Sequence, residues 1–154
     1  MFAWYVFLHL VGIVLFFAAH GVSMAVSFLL RRQTERTAVA SLLGLSQAAV
    51  RISYLGLLLL GIGGLGAAAT AGWLTATWVV WSYVVLVVIF LAMFAIGAPY
   101  YYGLRDALNG TKKAPPVEDA ELIGRLVSRR PDVLAAVGGF GTIVLVWLMV
   151  LKPG

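Results

Sequence analysis

Long apolar runs separated by short clusters of charge give this chain its pattern. Apolar residues fill Phe2 to Leu30, Ala38 to Trp73, Leu74 to Leu104 and Val133 to Leu151. Each run reaches the roughly 20 residues that a helix needs to cross the hydrocarbon core of a bilayer. The pattern predicts an all-α fold: a four-helix transmembrane bundle in a single domain over 1–154, with helices at about 2–30, 38–72, 74–104 and 132–151. The first run has no basic stretch ahead of it, is long for a signal peptide and ends in no small-residue cleavage site, so it reads as a retained helix.

The breaks give the orientation. Arg31, Arg32 and Arg36 follow the first run, and Arg105, Lys112, Lys113, Arg125, Arg129 and Arg130 fall between the third and fourth. The turn between the second and third runs, around Ala71 to Thr77, carries no charge. Basic loops stay on the cytoplasmic side, so both termini are expected outside the inner (plasma) membrane, with loop 105–131 in the cytoplasm. Asn109, Gly110, Pro115 and Pro116 make the first half of that loop turn-rich. Glu118 to Arg130 then reads as a short amphipathic helix with Leu122, Leu126 and Val127 on one side, suited to lying on the inner leaflet.

Three runs exceed the length a membrane requires, and depth counting locates the excess. With outer ends near Phe2, Ala71, Trp78 and Leu151, about 20 residues inward come His20, Arg51, Ala98 and Pro131. Tyr100, Tyr101 and Tyr102 then fall at the inner interface, and Trp4, Tyr5, Trp73, Trp78, Trp81 and Trp147 gather toward the outer face, as interfacial aromatics do. Two readings of Arg51 stay open. In one it sits at the inner headgroup level, below which 37–50 extends as helix; in the other, with Gln47 and Tyr54 on the same face, it holds a haem propionate or a lipid headgroup.

Composition agrees with the membrane assignment. The 154 residues are 62% hydrophobic and 11% charged, against roughly 25% charged in soluble domains. The net charge of +5 lies between apolar spans, where it serves topology and anionic lipid, and no nucleic-acid partner is expected. Without cysteine there is no disulfide, thiolate metal site, cysteine nucleophile or covalently attached haem. No phosphate-binding glycine loop, nucleophile elbow, zinc-protease motif or intramembrane carboxylate pair occurs, which sets aside nucleotide hydrolysis, common hydrolase chemistry and proton-coupled transport.

The candidate chemistry rests on His9 and His20, the two histidines of the chain. Eleven positions put them on one helix face, about 16 Å apart along the axis. Gly12, Phe16, Ser23 and Ser27 continue that face, which is expected to look into the bundle. Gly61, Gly63, Gly64 and Gly66 lie at the depth of His9, and Gly138, Gly139 and Gly141 somewhat deeper. Absent side chains leave room for close helix contact, with His9 bonded to a serine or a backbone carbonyl, or for a flat ligand. A neutral imidazole beside such a hollow is what axial ligation of haem b requires. On that reading His9 and His20 are cofactor-binding candidates, His9 is the metal ligand and Arg51 the propionate partner. A sixth ligand would come from Met93, a partner subunit or a second copy of His9.

The opening Phe7-Leu8-His9-Leu10-Val11-Gly12, the glycine-rich second run and the Gly72-Trp73 turn before Trp78 resemble a family of small bacterial four-helix integral membrane proteins of unknown function. More distantly, the Leu-His-x-x-Gly start is similar to copper-resistance membrane domains and HemJ-type protoporphyrinogen oxidases. The resemblance implies a metal or haem role for His9 alone, since the other histidines of those groups are missing. Two functions lead: a haem b protein associated with membrane redox or electron transfer, or a non-catalytic scaffold or accessory subunit of a larger membrane complex; a small-solute carrier is a distant third. A homodimer through the small-residue faces is expected for either.

Overall fold

The structure is a computed structural model and describes residues 1–153. Among them every regular element is helical: α1 (Phe2–Leu30), α2 (Arg36–Thr70), α3 (Thr77–Ala92), a π-helical segment (Met93–Gly97), α4 (Ala98–Asn109), α5 (Asp119–Leu126) and α6 (Arg130–Leu151). α3, the π segment and α4 make one continuous rod, and four rods are long and apolar enough to cross a membrane. The chain is a multi-pass membrane protein with a four-helix bundle.

Local chemistry explains the breaks. α2 ends in a Schellman turn: Gly72 takes a φ of 72°, Trp73 N–H donates to the Ala68 carbonyl and Gly72 N–H to that of Ala69. The π segment precedes Pro99, whose ring cannot donate to the helix ladder and would crowd the carbonyl one turn back, so an extra residue is taken up there. Pro131 occupies the first turn of α6 for the same reason, and it separates α5 from α6.

The rods pair as α1 with α2 and α3 with α6. Small residues bring α1 onto α2 backbone to backbone. A Cβ on Gly12 would lie 2.2 Å from the Leu60 nitrogen, and one on Gly63 would lie 2.4 Å from the His9 nitrogen. Ser46, Ala49, Ser53 and Gly56 continue the buried edge of α2. Gly12, Gly56 and Gly63 thus make an intrachain seam, while Gly21, Gly44, Gly61, Gly103 and Gly139 meet nothing within 4 Å.

The basic end is closed by a leucine-rich core of Val26, Leu30, Val39, Leu43, Leu104, Leu108, Leu122 and Leu126 with Tyr100 and Ala107. Arg36 ties this end together, donating to the Asp119 carboxylate at 2.6 Å, to the Leu108 carbonyl at 2.7 Å and to the Val117 carbonyl. Arg31 pairs with Asp132 at 2.9 Å. A buried polar layer lies just inside: Ser23 and Ser46 share a hydrogen bond of 3.0 Å, and Ser27 bonds Tyr101.

Three expectations change here. Helix continues through Asn109 rather than ending at Leu104, because Leu104, Ala107 and Leu108 face the core. The amphipathic helix stops at Leu126, and its apolar side is covered by the bundle rather than by lipid, leaving Val127 78% exposed past its end. Within the run Tyr100, Tyr101 and Tyr102, the first two pack inward and Tyr102 alone is exposed.

The exposed surface of α2 changes character at one level. Thr37, Ser41, Gly44 and Gln47 are exposed before Arg51, with Leu45 among them, and Ile52, Leu55, Leu58, Ile62 and Leu65 after it, with Tyr54 among them.

Candidate functional site

Toward the ends of the chain the two helix pairs separate and enclose an apolar cleft of about 580 Å³. That volume lies within the roughly 300–1,000 Å³ of small-molecule sites. Its lining runs from Ala135 to Met149 along α6, a height of about 20 Å. The mean cross-section is therefore on the order of 30 Å², a tall slot about one side chain wide. Polar groups on its walls are few: His9, His20, Ser82, Tyr83 and Thr142.

The close α1–α2 contact places His9. Its Nδ1 lies 2.8 Å from the Leu60 carbonyl oxygen. A carbonyl only accepts, so Nδ1 is the donor and the neutral ring keeps its lone pair on Nε2. Metal-binding histidines are commonly oriented in this way, with the second ring nitrogen held by a carbonyl or a carboxylate. Gly64 supplies the space, since a Cβ there would stand 2.9 Å from His9 Nδ1 and 3.7 Å from the Tyr83 hydroxyl. The glycines expected to give either contact or a hollow thus divide the work: Gly63 makes contact, Gly64 seats the imidazole, and Gly138 and Gly139 face the cleft.

His20 lines the same cleft, stacked on Phe16 with the rings 4° from parallel and 5.5 Å apart. Its Nε2 points at α6, 3.7 Å from where a Gly138 Cβ would be. Counted from the helix ends, His9 and Tyr83 are about 10 Å deep, whereas His20 and Met93 are about 25 Å deep. One iron cannot bridge these levels. Met93 therefore lies at the level of His20 rather than of His9, and the cleft-lining donor groups nearer the level of His9 are Tyr83, Ser82, Thr142 and the Met149 thioether. Met24 and Met149, set aside on depth, also reach the cleft wall.

Arg51 is exposed and does not line the cleft, and Gln47 and Tyr54 are exposed with it. Sequence reasoning missed Lys152. It follows α6 in a left-handed conformation (φ 46°), which returns its ammonium over Trp73 at 4.6 Å and Trp78 at 5.4 Å. Both indoles border the cleft. A lone lysine after the last apolar run was the available signal, and it was read only as part of the net charge.

No protein-family model, no curated protein and no solved structure matches the chain. No group of three or more histidine or carboxylate side chains that could enclose a bare metal ion occurs among the described residues. One imidazole in an apolar slot suits a metal carried by its own macrocycle better than a naked ion.

Proposed function

We propose that this is a haem b protein of the inner membrane, associated with membrane redox or electron transfer, with basic loops in the cytoplasm and termini outside. His9 is the residue that would hold the haem iron. The observation that carries the reading is the His9–Leu60 hydrogen bond, which fixes the tautomer and leaves Nε2 free on an apolar cleft. Bound haem would supply a one-electron couple at its iron. The chain's part is to hold the imidazole, exclude water with apolar walls and keep the site narrow. Arg51, on the exposed face at the water boundary, binds lipid headgroups rather than haem.

The scaffold reading has its own support, because the same bond also locks α1 to α2 with no ligand present. Optical spectra of the detergent-purified protein, oxidised and dithionite-reduced, separate the two when His9→Ala is run beside the wild type. A Soret band with reduced α and β bands, lost in His9→Ala, is expected. A wild-type protein with no band after expression with added haem precursor would leave the scaffold.

A further inference from the structure

The mouth of the cleft carries a charge with no counterpart in the bundle. Lys152 is exposed there, held over Trp73 and Trp78. All six acidic residues of the chain, Glu35, Asp106, Glu118, Asp119, Glu121 and Asp132, lie toward the basic end or in its loop. The first turns of α1 and α3, whose amide ends face the same mouth, contain no acid either. The N-termini of α1 and α3 and the C-termini of α2 and α6 meet at this rim and their dipoles offset one another, so the positive charge there is that of the Lys152 ammonium held over the indoles. Beneath it the slot is about 20 Å tall and nearly all apolar.

We propose that the cleft takes a long or flat amphiphile with an acidic head, whose apolar body fills the slot and whose carboxylate or phosphate rests on Lys152. The two indoles keep the lysine side chain at the rim rather than free in water, so less entropy is lost when it meets the head. The proposal depends on the slot and its rim and not on iron, so it and the haem reading fail separately. A fatty acid and a carboxylate-bearing tetrapyrrole present the same chemistry to Lys152.

The test is quenching of tryptophan fluorescence in the full chain in neutral detergent. The probes are nitroxide-labelled stearic acid and its methyl ester, and haemin and its dimethyl ester. An acid should bind about fivefold more tightly than its ester, the upper end for an exposed ion pair. Lys152→Gln should abolish the difference, and Lys152→Arg should keep it. A preference with stearic acid identifies a general acid-headed amphiphile, and one with haemin alone identifies the tetrapyrrole. Equal binding of acid and ester in both pairs, or a preference that survives in Lys152→Gln, would overturn the proposal. Haemin spectra recorded in the same titration report on His9 independently.

Discussion

The two ends of this bundle are built from the same kinds of helix and packed to opposite effect. At the basic end Leu30, Leu43, Leu122 and Leu126 are at most 2% exposed. At the other end the α1–α2 pair stands away from α3–α6 around the cleft. The solvent explains the difference. With the hydrocarbon ending at the level expected from depth counting, the helix extensions beyond Arg51 stand in water, where burying leucine is worth about 1.5–3 kcal/mol a side chain, and a closed core follows. Inside the bilayer lipid tails are as apolar as leucine, so helices close only where small residues let backbones touch. Gly12, Gly56 and Gly63 do that for α1 and α2, and no comparable seam joins the pairs. The surplus length of three rods thus forms a water-side clamp, and the clamp lets the membrane layer stay open.

The comparison can be broken most directly at the clamp. Leu43→Ala should destabilise the detergent-solubilised protein by about 2–4 kcal/mol in denaturant titration. Leu86→Ala, on the cleft wall, should change it by less than about 1 kcal/mol, because its neighbours there already leave space. Similar losses at both positions would erase the contrast between the ends. Arg36→Ala comes next. It removes three hydrogen bonds that tie α2 to the end of α4, the following loop and α5, and should lose about 1–3 kcal/mol with faster amide exchange over 110–126. Protection of that segment unchanged from wild type would show that Arg36 is not the tie. Ser46→Ala, deleting the Ser23–Ser46 bond at the layer between the ends, should lose only about 0.5–1 kcal/mol, read as a small drop in Tm. A larger effect would move the stabilising centre from the clamp into that polar layer.

Much of this was legible in the hydrophobic pattern, for a physical reason: a bilayer leaves the backbone only helix or closed barrel, unbroken apolar runs of about 20 residues select helix, and their length then defines the rods. Pairing was not. Tyr100 and Tyr101 have the composition of interfacial anchors, and their turn into the core depends on where Ser27 and Leu126 come to lie. The site was half legible. His9 and His20 share a helix face by spacing alone, and they share a cleft. Arg51 lies four residues from Gln47, which places them on one face without saying that this face is turned away from the cleft. Lys152 could not be placed from sequence, because its position over Trp73 depends on a left-handed residue and on a turn between two other helices.

The central claim is that His9 offers its imidazole to a ligand in the cleft, and Gly64 gives the sharpest hold on it. A Cβ at Gly64 would press on the His9 ring, whereas one at Gly61, on the same helix, meets nothing within 4 Å. The decisive measurement is the reduced-minus-oxidised haem spectrum of Gly64→Val beside Gly61→Val. A lost or strongly shifted α band is expected in Gly64→Val and a wild-type spectrum in Gly61→Val. Wild-type spectra in both variants, or equal loss in both, would contradict it.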